Sequence, residues 1–160
     1  MRLTIAAIGR LKTGAETELV TRYAERLNAL GKSHALGPLS IVELTESRAQ
    51  TAPQRKAEEA RALLKAAAKE SRCIVLDERG KSLTSEAFAG LLRRQRDDGA
   101  SGLTFLVGGP DGHGEEASVG ALLKLSLSAL TLPHGLARVV LTEQVYRAVT
   151  LIAGHPYHRN

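Results

Sequence analysis

The sequence has few aromatic residues and a single cysteine. Phe, Tyr and Trp together make up 3% of its 160 residues, and Cys73 is the one thiol. A hydrophobic core must therefore be built from aliphatic side chains, for which the hydrophobic share of 43% is sufficient. A lone cysteine excludes an internal disulfide and is typical of proteins in a reducing cytosol.

Long hydrophobic runs are also absent. The N-terminal stretch MRLTIAAIGRLK is too short and too interrupted for a signal peptide, and no apolar run could span a bilayer. We therefore expect a cytoplasmic protein with no membrane partner. The length is typical of one domain, so we expect residues 1–160 to form a single domain.

Positive charge is present in excess. The formal net charge is +5 and the pI is near 9.7. Such a field favours polyanionic partners, so contact with RNA or DNA is expected before any motif is considered.

Apolar runs alternate with helical spacings along the first two thirds of the chain. The pattern predicts strands at 3–8, 40–44, 73–77 and 103–109, and helices at 15–30, 54–70 and from Thr84 to about Asp97. The third and fourth strands are continuously apolar, as strands covered on both faces are. The alternation predicts an α/β fold with a mostly parallel sheet flanked by helices.

The last third of the chain follows a different pattern. Residues 125–133 fit either a strand that enters a loop or the end of a helix. Residues 136–152 have helical spacing, but Arg138, Glu143 and Arg147 do not gather on one face. A helix that is apolar nearly all round is buried on more than one side. A second chain could cover part of it, or it could be the core helix of a monomer.

Several familiar motifs are missing. The GKS at 80–82 lacks the glycine that a phosphate loop needs five positions earlier, and GGPDGHG at 108–114 does not match the dinucleotide fingerprint. HEXXH is absent. His155 and His158 have a metal-ligand spacing, but no acidic residue lies near them in sequence. We therefore expect no metal site.

Three loops follow apolar segments at the ends of predicted strands: 76–81, 107–112 and 127–134. Ligands of α/β proteins bind outside the carboxyl ends of strands. Gly108 to Gly112 could let a ligand approach the backbone, or could simply form a tight turn. Residues 128–133 are uncharged, so backbone groups and an apolar wall would have to hold a ligand there, which suits a purine ring.

The motifs GGPDG, LSLSALTLPHGLARVVLTEQVYRA and HPYHR occur in this order and end at the C-terminus. Together they resemble the bacterial 23S ribosomal RNA pseudouridine N3-methyltransferases, a family of the knotted SPOUT class. The resemblance covers the chain end to end and is densest over 104–159. It implies a C-terminal trefoil knot, which no periodicity predicts, and a homodimer with the knot helices in its interface.

The resemblance also implies a cofactor, S-adenosylmethionine, bound bent in the knot. The residues that match its site are Leu76, Gly108, Gly109, Ser128, Ala129, Leu130, Thr131, Leu132 and Pro133. The implied substrate is N3 of a pseudouridine in large-subunit ribosomal RNA, on the assembled ribosome.

The terminal HPYHRN is either a frayed end or part of the catalytic apparatus. Pseudouridine N3 must lose a proton before it attacks a methyl group, so we expect catalytic roles for Tyr157, His158 and Arg159. His158 titrates near neutrality, Arg159 is a cation, and the Tyr157 ring can stack on a base. Which group takes the proton stays open, and the whole tail could instead bind RNA.

Two other functions compete with this one. A knotted methyltransferase could act on transfer RNA, or a non-enzymatic ribosome-binding protein could keep a vestigial cofactor pocket. Substrate assays separate the first, and calorimetry with S-adenosylmethionine separates the second.

Overall fold

The structure is a computed structural model, and it describes residues 1–68 and 70–157. The strands are β1 (Arg2–Ile8), β2 (Leu39–Leu44), β3 (Ser71–Ser82), β4 (Gly102–Val107) and β5 (Leu123–Ser126). The helices are α1 (Ala15–Gly31), α2 (Ala52–Ala66), α3 (Ser85–Asp97), α4 (Glu115–Ser118) and α5 (His134–Ile152), with a short 3-10 turn at Lys32–His34.

The five strands form one parallel sheet in the order β2-β1-β4-β3-β5. Helices cover both faces of this sheet. The predicted α/β fold with a parallel sheet is therefore confirmed. Because all strands run the same way, the loops that follow them gather at one edge of the sheet.

The central strand β4 shows why its sequence is continuously apolar. All six of its residues are buried. Leu103, Phe105 and Val107 belong to the core shared with α1, α3 and α5, whereas Leu106 faces the smaller core under α2 and α4. Each large side chain buried in this way contributes about 1.5–3 kcal/mol.

Capping explains where α3 begins, and the end of α2 is set by the turn into the next strand. The Thr84 hydroxyl accepts a hydrogen bond from the backbone N–H of Ala87 at 3.1 Å, as predicted. The prediction that the second helix reaches residue 70 is wrong, because α2 ends at Ala66 and Ala67 is already extended. Helix propensity favours continuation there, but the chain must turn into β3.

The third strand is longer than predicted, since β3 continues to Ser82. Its pairing with β5 breaks after Leu76 and resumes at Lys81, which leaves a bulge at 77–80. A Cβ on Gly80 would lie 2.7 Å from the Lys124 carbonyl oxygen, so the return to β5 requires a glycine.

Residues 125–133 are a strand end that enters a loop, which is one of the two predicted alternatives. The helix that follows, α5, starts two residues earlier than predicted and packs against α1 and α3 of its own chain. Arg138 is buried within it and donates to the carbonyl oxygens of Ile8 and Gly9 at 2.6 and 2.9 Å. The same guanidinium pairs with Glu43 at 2.9 Å.

Part of α5 stays open to solvent in the single chain, and the Leu136 side chain is 45% exposed. None of the helices in the described part of the chain is long and apolar enough to cross a membrane.

Candidate functional site

A cavity of about 450 Å³ lies beside the bulge in β3 and the ends of β4 and β5. All three loops singled out in the sequence contribute to its wall: 76–79, 107–113 and part of 125–134. Lys56 from α2 and Ala137 from α5 complete the lining. The cavity therefore occupies the place where α/β sheets bind ligands.

A second groove, of about 490 Å³, lies at the ends of β1 and β2. It is lined by Gly9, Arg10, Thr45, Glu46, Ser47 and Arg48, and so has no large apolar side chain in its wall. It contains none of the predicted cofactor residues. Although it is slightly larger, the cavity beside β3, β4 and β5 is the better candidate, because ligand sites are mostly apolar with a few polar groups.

Seven of the nine residues predicted to contact a cofactor line this cavity. They are Leu76, Gly108, Gly109, Ser128, Leu130, Thr131 and Leu132. Ala129 and Pro133 belong to the same loop but do not line the cavity. Pro133 instead precedes the first turn of α5, and His134, whose role the sequence left open, also borders the cavity.

The glycine-rich loop after β4 is a tight turn and also part of the cavity wall. The N–H of Gly112 donates to the Gly109 carbonyl at 2.9 Å, with Pro110 and Asp111 between them. Gly112 has φ +81°, a left-handed conformation that favours glycine. The segment from Gly108 to Gly112 can therefore be a tight turn and also present its backbone to a ligand.

Helix α2 holds this turn from behind. The Arg55 guanidinium donates to the Asp111 carboxylate at 2.6 Å and keeps the pKa of that carboxyl below its usual range. A Cβ on Gly109 would lie 2.7 Å from Oε2 of Glu59 and 3.1 Å from Ile8. The side of Gly109 that lacks a Cβ therefore faces the protein interior, not a ligand.

His113 was assigned no role from the sequence, yet it contacts the glycine pair directly. The backbone N–H of Gly108 donates to its Nε2 at 3.1 Å. An accepting Nε2 assigns the neutral tautomer with the proton on Nδ1. The sequence held a signal for this contact, because a turn over 109–112 places residues 108 and 113 opposite each other.

Burial lowers the pKa of His113, while the Leu76 backbone and the charge of Asp77 act in the opposite direction. Within the described residues, Nδ1 makes no hydrogen bond of ordinary geometry. Burial has the largest effect on the pKa of His113, so this side chain is neutral at physiological pH.

The loop after β5 is shaped by its own serines. Ser126 donates to the Ser128 carbonyl at 3.0 Å, and the Ser128 hydroxyl accepts from the N–H of Leu130 at 2.9 Å. These bonds hold the loop while the Leu130 side chain remains 78% exposed. An exposed leucine beside a cavity is an apolar surface available to a ligand.

The described part of the tail packs against the middle of α5. The Tyr157 hydroxyl donates to Glu143 at 3.1 Å, and its ring lies 4.8 Å from the Tyr146 ring and 5.0 Å from the Arg147 guanidinium. Glu143 is nine residues along α5 from His134, a rise of about 14 Å. Tyr157 is not among the residues that line the cavity of its own chain.

Burial raises the pKa of Tyr157, and contacts with Tyr23 and Glu143 add to the effect. The phenol is thus protonated at neutral pH. The other two predicted catalytic residues, His158 and Arg159, lie outside the described residues.

A metal site finds no support in 1–68 and 70–157, where no three His, Cys, Asp or Glu side chains cluster closely enough to hold an ion. The Nδ1 atom of His155 accepts from the Tyr157 backbone at 3.2 Å, a contact within the tail itself.

Comparisons with known proteins agree along almost the whole chain. The family described as predicted SPOUT methyltransferase matches residues 1–158. Proteins named ribosomal RNA large subunit methyltransferase H are 48% identical over 159 residues in Xanthobacter autotrophicus and 50% identical over 159 residues in Rhodopseudomonas palustris, covering 99% of each chain. The protein of that name in Brucella anthropi is 49% identical over 160 residues and covers both chains fully. This chain belongs to the SPOUT methyltransferase family.

Proposed function

We propose that this protein transfers a methyl group from S-adenosylmethionine to N3 of a pseudouridine in 23S ribosomal RNA, on the assembled ribosome. The observation that carries the proposal is the full-length identity of 48–50% to proteins named ribosomal RNA large subunit methyltransferase H. The positive net charge of +5 supports an RNA substrate.

The residues of the cavity fit S-adenosylmethionine. This molecule has a purine nucleoside at one end and a zwitterionic amino acid at the other. Leu130 and its neighbours in the uncharged loop offer an apolar wall with backbone polar groups, and Lys56, Asp77 and Arg79 place charges of both signs around the same cavity. The volume of about 450 Å³ lies in the usual range for small-molecule sites.

The cofactor, when bound, supplies an electrophilic methyl group. The chain's own residues have the tasks of positioning and charge stabilisation. We infer that the 128–132 loop and the Gly108–Gly109 backbone form the wall on the cofactor side. Removal of the N3 proton is assigned to the tail, with His158 as the candidate base and Arg159 as the group that stabilises the developing anion.

The protonation state of Tyr157 indicates which catalytic role it can have. A phenol whose pKa is raised by burial is a poor base at neutral pH, so Tyr157 is not the proton acceptor. Its bond to Glu143 and its contact with Arg147 instead anchor the tail on α5. We propose that this anchor delivers the last residues to the nucleotide.

The distance along α5 bears on the oligomeric state. Because Tyr157 contacts Glu143 in the middle of α5 and does not line the cavity beside the first turn of this helix, we propose a homodimer in which the tail of one chain completes the cavity of its partner. The half-exposed face of α5 that includes Leu136 supports an interface there. The trefoil knot, the single-domain organisation and the cytoplasmic location belong to the same proposal.

Two assays test the function. In the first, ribosomal RNA from cells with and without the gene is mapped by mass, and we expect one pseudouridine to lose its methyl group only in the deletion. In the second, the purified protein is incubated with labelled S-adenosylmethionine and either ribosomes or transfer RNA. Label in transfer RNA would favour the competing transfer RNA enzyme, and cofactor binding without any label would favour the non-enzymatic alternative.

A further inference from the structure

The glycine pair of the cavity wall is fixed by one side chain that follows it in the chain. His113 lies on the return arm of the turn, and its imidazole edge fills the space beside Gly108. A Cβ on Gly108 would lie 3.1 Å from Nε2 and 3.2 Å from Cδ2 of His113. The imidazole and the glycine therefore fit each other, and a larger residue at 108 would push them apart.

The hydrogen bond between them has one possible direction. The backbone N–H of Gly108 can only donate, so Nε2 must be the acceptor across the 3.1 Å that separates the two nitrogens. A proton on Nε2 would place two N–H groups face to face. The bond, and with it this arrangement of the cavity wall, therefore exists with the neutral imidazole alone.

We propose that His113 is a positioning residue for the methyl donor: its neutral imidazole holds the Gly108 N–H, and so keeps the glycine pair in the arrangement that the donor binds. The inference rests on the proposed function in one respect, namely that the donor occupies this cavity. His113 acts through the backbone of Gly108.

Charged and titratable groups from several elements surround this imidazole. Asp77 in the β3 bulge favours its protonation and Lys124 of β5 opposes it. Lys56, Glu78, Arg79, Asp111 and His134 border the same cavity, and Glu59 of α2 lies behind Gly109. Burial, the largest effect, lowers the pKa of His113 below the ordinary value of about 6.5, so the bond is present at neutral pH and is lost on the acid side of that value.

The test is calorimetry with S-adenosylmethionine between pH 5 and 8 on three proteins. For the wild type, we expect the affinity to be constant near neutrality and to fall by up to about tenfold per pH unit once His113 is protonated. His113→Gln retains an acceptor at the position of Nε2 but does not titrate, so its affinity should change much less with pH. His34→Gln removes an imidazole from the 3-10 turn at Lys32–His34, outside the cavity wall, and should retain the wild-type pH dependence.

A readout without cofactor accompanies it. In the free wild-type protein, the Gly108 amide signal should titrate with the same midpoint as the His113 ring, and added S-adenosylmethionine should lower that midpoint because it binds the neutral form. The inference would be overturned if the Gly108 amide signal did not change as His113 titrates. It would also be overturned if the affinity of His113→Gln for S-adenosylmethionine had the same pH dependence as that of the wild type. A wild-type protein that binds no S-adenosylmethionine at any pH would instead contradict the proposed function, while the amide titration would still report on the His113–Gly108 bond.

Discussion

The N-terminal end and the middle of α5 have very different surroundings. At its N-terminal end, the cavity wall is held by bonds within one chain: Gly108 to His113, Arg55 to Asp111, and Ser128 to Leu130. Near its middle, Tyr157 contacts Glu143, about 14 Å along the helix from His134. A single chain therefore builds the wall of the proposed methyl-donor site, and Tyr157, the last residue that the structure describes, is not part of that wall.

Removal of the residues beyond Tyr157 should have the largest effect on turnover, because it affects the tail and not the cavity wall. A chain that stops at Tyr157 keeps the anchor on α5 and every residue of the cavity wall. We expect turnover on ribosomes to fall by at least about a hundredfold, since general base and electrostatic contributions are lost together. The affinity for S-adenosylmethionine, measured by calorimetry, should stay within a few-fold. Full activity of the shortened chain would show that residues 158–160 are not needed for turnover.

Arg138 ties the N-terminal end of α5 to the sheet. Arg138→Ala removes a buried guanidinium that pairs with Glu43 and donates to the carbonyl oxygens of Ile8 and Gly9. We expect a loss of about 3–5 kcal/mol in the free energy of unfolding, measured by urea denaturation. A loss below about 1 kcal/mol would mean that water replaces the guanidinium.

A substitution at Gly109 tests how closely the turn packs against helix α2. Gly109→Ala places a Cβ 2.7 Å from Glu59 Oε2 and 3.1 Å from Ile8, so we expect a loss of about 1–3 kcal/mol in unfolding free energy together with weaker donor binding. The matched control is Gly90→Ala in α3, where the nearest contact is an ordinary 3.5 Å and the change should be neutral or stabilising. Equal effects in the two variants would contradict the assigned packing.

Most elements could be predicted from the sequence, because hydrophobic periodicity reports burial. The continuously apolar strands near Ile74 and Phe105 are covered on both faces, and their sequences show it. The errors fall where tertiary contacts overrule local preference. The Ala-rich helix stops at Ala66 despite its propensity, and β3 continues past a charged bulge because its far end pairs again with β5.

The site was predicted in part for a similar reason. Loops at strand ends are visible in a sequence, and seven of the nine expected residues line one cavity. The backing from Glu59 was invisible, since it depends on where α2 crosses the sheet. The proposed knot has no periodic signal at all and was expected from family resemblance alone.

Tyr157→Phe should have the smallest effect. It removes one hydroxyl that donates to Glu143 but keeps the ring against Tyr146 and Arg147. We expect a loss of about 0.5–1.5 kcal/mol in stability and a modest fall in turnover, with the pH profile unchanged because the phenol does not titrate near neutrality. A shifted pH profile would assign a proton-transfer role to Tyr157 after all.

Subunit complementation tests the central claim most directly. One chain stops at Tyr157, and the other carries Thr131→Trp, which fills the cavity at an exposed wall position and must first be shown to have lost the cofactor. Each is expected to be inactive alone.

After the two are unfolded and refolded together at equal concentrations, half of the dimers should be mixed, and one of their two sites has both an intact cavity and a partner's tail. The account predicts recovery of roughly a quarter of wild-type turnover. No recovery in verified mixed dimers would show that each cavity uses the tail of its own chain, and would contradict the account.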